Sequence, residues 1–243
     1  MKTSIVISVY NEEQTIQDCL ESLARQTVQP DEILIVDNNC TDRTIDIAER
    51  FNVVIIKETS QGIWAARNTG FNRASGDLII CTDADARFPA DWVESILQTF
   101  TDPDVVASTG YGLFYDGSRL ANFLGFYVYM LPYFFCVGLA IGTRPVFGSN
   151  YAMRRTVWNE IRSEVHSHTE SVYDDIDVTY HLLGRGQILF NKSQNNYISI
   201  RPLRSLQGMI ERYKKGLRSV LLHWPAQSPY TIYRDRILQY IRF

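Results

Sequence analysis

Along the first hundred residues, short apolar runs alternate with longer stretches in which apolar residues recur at helical spacing. The run Ser4-Ile5-Val6-Ile7-Ser8-Val9 predicts a buried strand, and residues 13–26 predict an amphipathic helix. The pattern repeats as strand 32–37, helix 44–51, strand 53–57, helix 63–74, strand 77–81 and helix 90–100. Such βα alternation predicts an α/β fold, a mostly parallel sheet flanked by helices on both faces. The boundaries agree: Thr41 and Asp42 can cap the second helix, Gln29-Pro30-Asp31 ends the first, and Ala74-Ser75-Gly76 closes the third. In open α/β sheets, ligands bind beyond the carboxyl ends of the strands. Tyr10-Asn11-Glu12, Asp37-Asn38-Asn39 and Asp83-Ala84-Asp85 all fall there, so three polar clusters are expected on one rim.

After a further strand over 105–110 the βα pattern stops, and an uncharged segment, 120–143, follows between Arg119 and Arg144. It exceeds the ~20 residues a spanning helix needs. Pro132, three glycines, Asn122 and the phenols of Tyr127, Tyr129 and Tyr133 argue instead for a buried or interfacial helix. Beyond it come a loop over 162–171, the acidic segment Tyr173-Asp174-Asp175-Ile176-Asp177 opening a helix to Leu183, a strand over 187–190, and a basic helix over 205–222. The chain divides into residues 1–110, 111–195 and 196–243, the last a helical, basic extension.

Charge separates these regions. From Asn196 onward nine basic residues face two acidic ones, leaving +7 there and −10 in the rest of a chain of net charge −3. A basic tail can meet phosphates, anionic lipid or the acidic body of its own chain. No Cys-x-x-Cys pair occurs among Cys19, Cys40, Cys81 and Cys136, which suggests a reduced, cytoplasmic chain without disulfides or zinc. Met1-Lys2-Thr3 runs straight into the first strand, so no secretory leader is expected.

Asp83 and Asp85 stand two apart as the apolar run 77–81 ends, and on extended backbone they project from one face. Paired carboxylates leaving a strand suit a hard cation such as Mg2+ or Mn2+, which completes its coordination with water and phosphate oxygens. A nucleoside diphosphate is the expected partner, and nucleic acid is not. His166 and His168 share a Ser-rich loop without a third ligand at fixed spacing, so they are read as residues of a mobile acceptor loop, not as metal ligands.

Six ordered motifs carry a resemblance. They are Ser8-Val9-Tyr10-Asn11-Glu12; Val36-Asp37 with Cys40-Thr41-Asp42-Arg43-Thr44; Ala66-Arg67-Asn68-Thr69-Gly70; Asp83-Ala84-Asp85; Gly148-Ser149-Asn150 with Arg154-Arg155; and Asp174-Asp175-Ile176-Asp177. Over residues 3–195 this order and spacing resembles glycosyltransferase family 2, the inverting enzymes of GT-A fold. The chain departs from the family pattern where Ser8-Val9 replaces a proline-led motif, where Asn38 replaces a second aspartate and where Asp174 replaces glutamate.

The resemblance implies a metal-dependent transfer of one sugar from a nucleotide-diphosphate donor to a glycan or lipid-linked hydroxyl acceptor. It implies that Asp37 accepts a hydrogen bond from the base, uracil being favoured over guanine or thymine, with Tyr10, Asn11 and Glu12 bordering the same pocket. Asp85 is expected on the metal, Asp83 near the ribose or a metal-bound water, and Arg67 on phosphate or on an aspartate. Asp175 is the expected general base, since an inverting transfer needs one carboxylate to take the acceptor's proton where a glycosidase needs two. Asp174 is expected with Gly148, Ser149 and Asn150 on the acceptor side, and Asp177 in a structural role. A span over 120–143 would put Asp85 and Asp175 on opposite sides of a bilayer, so the expected location is cytoplasmic, with any membrane contact peripheral, on the inner face, through 120–143 and the basic tail.

Residues 207–213 bear a distant likeness to the Q-x-x-R-W motif of processive synthases but miss its spacing. Two rival readings are a sugar-phosphate nucleotidyltransferase and a binding protein without activity. The first would want a Gly-rich basic loop where Val9-Tyr10-Asn11-Glu12-Glu13 stands, and the second has little use for Asp85 and Asp175 together.

Overall fold

A computed structural model describes residues 1–167, 169 and 171–234; His168 and the end of the basic tail, with Asp235, Arg236 and Arg242, lie outside the described residues. The chain opens with β1 (Thr3–Val9), α1 (Ile16–Ala24), β2 (Glu32–Asp37), α2 (Thr44–Ala48), β3 (Val54–Lys57), α3 (Ile63–Arg73), β4 (Leu78–Asp83), α4 (Trp92–Thr99) and β5 (Val105–Thr109). Then come β6 (Gly112–Phe114), α5 (Arg119–Gly125), α6 (Gly138–Ile141), β7 (Asn150–Arg154), α7 (Arg155–Ile161), α8 (Asp174–Leu182), β8 (Gln187–Phe190), β9 (Asn196–Ile198) and α9 (Leu206–Leu222). Seven strands form one sheet in the order β3-β2-β1-β4-β7-β5-β8, while β6 and β9 pair separately. All neighbours in the large sheet are parallel except β7, which runs antiparallel between β4 and β5.

The period of two in the strands shows which core each residue enters. Ile5, Ile7 and Val9 of β1 pack with α1 and α4 on one face, whereas Val6 packs with Trp64, Ala66 and Phe71 of α3 on the other. Both faces are covered, which is why these strands read as continuous apolar runs. Gly70 lets α3 approach: a Cβ there would sit 2.3 Å from Val6 Cγ1. Asp42 joins the starts of α1 and α2, accepting hydrogen bonds from the Thr44 amide at 3.0 Å and the Glu13 amide at 3.1 Å.

The uncharged segment forms one continuous helix, Arg119–Ile141, with Pro132 set between π-helical turns at Phe126–Met130 and Tyr133–Val137. A proline cannot donate within a helix, and π turns absorb the displaced bonding. This helix is long and apolar enough to cross a membrane, yet only 17% of its most apolar window is buried. Of the two expected alternatives, buried or interfacial, this exposure departs from the first alone. Its inner side reaches the core through Met130 and Ile141, while Leu120, Phe123, Tyr127 and Val128 are exposed. Beside it lies α9, where the Tyr213 hydroxyl donates to the Val128 carbonyl at 3.3 Å.

Candidate active site

Parallel register aligns the strand ends: Val9 pairs with Asp37 and Ser8 with Asp83. The residues just beyond them border a cleft of about 650 Å³ lined by Tyr10, Glu12, Asn38, Arg67, Asp83 and Asp85 on one side and Gly148, Ser149, Asp174 and Asp175 on the other. The second set arrives by a different route. Because β7 runs antiparallel, the turn at its start, Gly148-Ser149, reaches the rim where the parallel strands end.

Arg67 on α3 joins the two sides. Its guanidinium is 3% exposed and donates to Asp83 Oδ1 and to Asp174 Oδ2, each at 2.5 Å. Burial works against the charge, but Asp174 and Asp83 outweigh it and hold the group firmly cationic. Arg67 is thus an internal strut, paired with aspartates as one of its two expected roles has it. Asp174 is likewise buried against it, which corrects the expectation that Asp174 meets an acceptor. Asp83 is committed at both oxygens, one to Arg67 and one to the Ser149 hydroxyl.

Asp175 lies in the first turn of α8, where the helix dipole favours a negative charge. Its Oδ2 accepts from the Gly148 amide at 2.9 Å and from the Tyr133 hydroxyl at 3.0 Å. Burial and the neighbouring Asp174 push its carboxyl up to about 6 against those donors and Arg67. Gly148 has no room for a side chain, since a Cβ would be 2.7 Å from Arg67 Nη1 and 3.2 Å from Asp175 Oδ2.

Asp85 sits in the turn after β4, and burial together with Asp83 pushes it up to about 6. Arg201, from the basic extension, reaches across to donate to Asp85 Oδ2 at 3.0 Å and to both oxygens of Glu12 at 2.9 and 2.8 Å. Asp85 Oδ1 accepts no hydrogen bond among the described residues. The donor set here is acidic, all oxygen and open to the cleft, which fits a hard divalent cation. Asp85 is the residue best placed to hold such an ion, with Asp83 beside it fixed by Arg67 and Ser149.

Three other expectations change. Asn150 is fully buried, accepting from Trp92 Nε1 at 3.1 Å and donating to the carbonyls of Tyr111 and Gln194 at 3.1 and 2.6 Å, so it supports the cleft floor and meets no acceptor. Asn11 and Asp37 stand outside the lining. Asn11, at φ 56°, accepts from the Thr41 amide at 2.8 Å, and Asp37 closes a turn by accepting from the Cys40 amide at 2.8 Å. Asn38 lines the cleft instead, tied by its amide to the carbonyls of Glu58 and Ser60 at 3.1 and 2.7 Å. Residues not anticipated also reach the cleft or its carboxylates: Tyr133, Arg201 and Arg212. In the sequence Arg201 shows only as part of a basic tail, and Arg212 as that and as part of the off-register Q-x-x-R-W likeness.

The sheet order, the single antiparallel strand and a carboxylate-lined rim define the GT-A class of fold. The mannosyltransferase PcManGT of Pyrobaculum calidifontis, solved with GDP-Man and Mn2+, matches with a TM-score of 0.67 at 21% identity, covering 87% of this chain and 60% of that one. Glucosyl-3-phosphoglycerate synthase from Mycobacterium tuberculosis, solved with Mn2+, UDP and phosphoglyceric acid, matches with a TM-score of 0.61 at 20% identity, over 90% of this chain and 77% of that one. Glycosyltransferase AglE of Haloferax volcanii is 36% identical over 110 residues, 42% of this chain and 36% of the relative's length. This chain thus matches little more than a third of that relative. The family model described as Glycosyl transferase family 2 matches residues 4–161, and the chain belongs to that family.

Proposed function

We propose that the chain is a metal-dependent inverting glycosyltransferase that moves one sugar from a nucleotide-diphosphate sugar, a UDP-sugar by preference, to a hydroxyl acceptor in polysaccharide or lipid-linked glycan synthesis. The observation that carries this reading is Asp175, a buried carboxylate raised to about 6 that lines the same cleft as Asp85. A base with a pKa near the working pH combines the ionised form with useful proton affinity. Asp175 takes the acceptor hydroxyl's proton as that oxygen attacks the anomeric carbon, while Gly148 and Tyr133 hold the carboxylate in place. Arg67 fixes Asp83 and Asp174 on either side and keeps the two halves of the cleft in register. Bound at Asp85, Mg2+ or Mn2+ would supply Lewis-acid stabilisation of the departing nucleoside diphosphate. Fold relatives solved with Mn2+ and GDP-Man or UDP support this choice of donor and ion.

The same reading puts the chain at the cytoplasmic face of a membrane, its exposed apolar helix 119–141 and the basic α9 against the lipid. Exposed Leu120, Phe123, Ile210 and Leu217 support it, with basic residues alongside on α9. Two measurements test the proposal. A panel of nucleotide sugars with Mg2+ or Mn2+ should release nucleoside diphosphate from one donor and lose that release with chelator; no release from any donor would leave a binding protein. Flotation with anionic liposomes should show association that salt weakens, and no association would remove the membrane from the reading.

A further inference from the structure

Behind the cleft, on the other side of α8, four potential metal ligands meet. Asp177 and His181 lie one turn apart on α8, His166 comes from the loop after α7, and His223 follows the last residue of α9. Their ligand atoms all lie within 4.8 Å of one another. Three ring nitrogens converge on one oxygen, Asp177 Oδ1: His166 Nδ1 at 2.8 Å, His223 Nε2 at 3.1 Å and His181 Nε2 at 3.4 Å. Ligands bound tetrahedrally at roughly 2.0–2.1 Å from an ion stand about 3.3 Å apart, and these distances bracket that edge.

Hydrogen bonding alone leaves the group poorly satisfied. One carboxylate oxygen has two lone pairs for three incoming nitrogens, and the other, Oδ2, already accepts from the His166 amide at 2.7 Å. His181 Nε2 is buried without a hydrogen-bond partner. Its Nδ1 stands 3.6 Å from Glu164 Oε2, a carboxylate that itself pairs with Arg185 at 2.9 Å. His223 is held in place by its ring, stacked on Tyr180 at 4.1 Å.

We propose that His166, Asp177, His181 and His223 form a closed, four-ligand site for a structural divalent transition metal, Zn2+ by its nitrogen-rich tetrahedral donor set, which pins the end of α9 to the back of the helix carrying Asp175. The expectation of a chain without zinc rested on cysteine spacing and on a His-x-His pair without a third ligand. The fold supplies Asp177, His181 and His223 to His166 from separate elements. The site is independent of the cleft and of any transfer reaction there. It fastens a helix whose Arg212 lines that cleft.

The test uses the full chain, freed of any histidine tag, stripped with chelator and titrated with Zn2+ against a chromophoric competitor, with melting followed in parallel. One Zn2+ per chain and a raised melting temperature are expected, and Co2+ in its place should give the strong visible absorption of four-coordinate cobalt. His181→Gln and the half-exposed His166→Ala should each weaken binding by about a hundredfold or more. Asp85→Asn should leave this affinity unchanged. The inference fails if the stripped chain takes up no stoichiometric metal, if bound cobalt is six-coordinate, or if His166→Ala and His181→Gln bind as tightly as the parent.

Discussion

Asp175 and Asp177 lie two residues apart on α8 and titrate in opposite directions. Two residues turn a helix by about 200°, so their side chains leave on different faces. Asp175 faces the cleft with Asp174 beside it, and burial raises it to about 6. Asp177 is also buried, yet the surrounding rings of His181, His223 and His166 overcome that burial and hold its carboxyl far below the usual range. The same residue type on one helix thus yields a readily protonated carboxyl on one side and a firmly ionised one on the other. Partners, not burial, make the difference.

The largest effect expected from separating the two is on stability. Asp177→Asn should cost about 3 kcal/mol or more, from the loss of hydrogen bonds to a charged group, measured by denaturant unfolding, while the folded fraction keeps most of its transfer rate. Asp175→Asn should do the reverse, lowering transfer by about a hundredfold or more with donor binding retained and the melting temperature not lowered; near-normal turnover would remove Asp175 from the role of base.

Stability against pH separates them next. Asp177, depressed in the fold, contributes stability above its ordinary value of 3.8 that is lost as pH falls below it. Asp175, raised, binds its proton more tightly folded than unfolded, so it lowers stability as pH climbs from 3.8 to about 6. Unfolding midpoints from pH 2 to 7 should therefore lose part of the acid-side fall in Asp177→Asn and part of the decline toward pH 6 in Asp175→Asn. A smaller shift is expected from Tyr133→Phe. Removing a donor to the ionised carboxylate raises its pKa, so the acid limb of the rate profile should move to higher pH. The smallest effect is Arg201→Ala: its bridge to Glu12 and Asp85 is half-exposed, so stability should change by about 1 kcal/mol or less, while the metal dependence of donor binding shifts.

Much of the sheet was legible because its strands are buried on both faces and bounded by polar turns. Strands 32–37 and 187–190 lie where the apolar runs predict them, and the three polar clusters do share a rim. Three-residue strands such as β6 and β9 are too short to carry a period. Within the rim, residue type alone could not separate Asn38, which lines the cleft, from Asn150, which supports its floor, because that depends on what each amide meets. Arg201 meets Glu12 across 189 residues, a pairing that no local pattern encodes. The Asp177–His181 pair, one turn apart on a predicted helix, was a signal within reach. His223 was not, since only the docking of α9 brings it near.

The antiparallel β7 has a consequence for dividing the chain. It occupies the place between β4 and β5, so a fragment ending at residue 110 keeps the parallel strands but leaves β4 with an unpaired edge facing water. That edge is Leu78-Ile79-Ile80-Cys81, apolar and without a charge to guard it. Such a fragment would pair edge to edge with its copies and precipitate. Residues that lie far apart in sequence are therefore a single unit of solubility, and the β1–β4 side of the cleft is not expected to survive truncation.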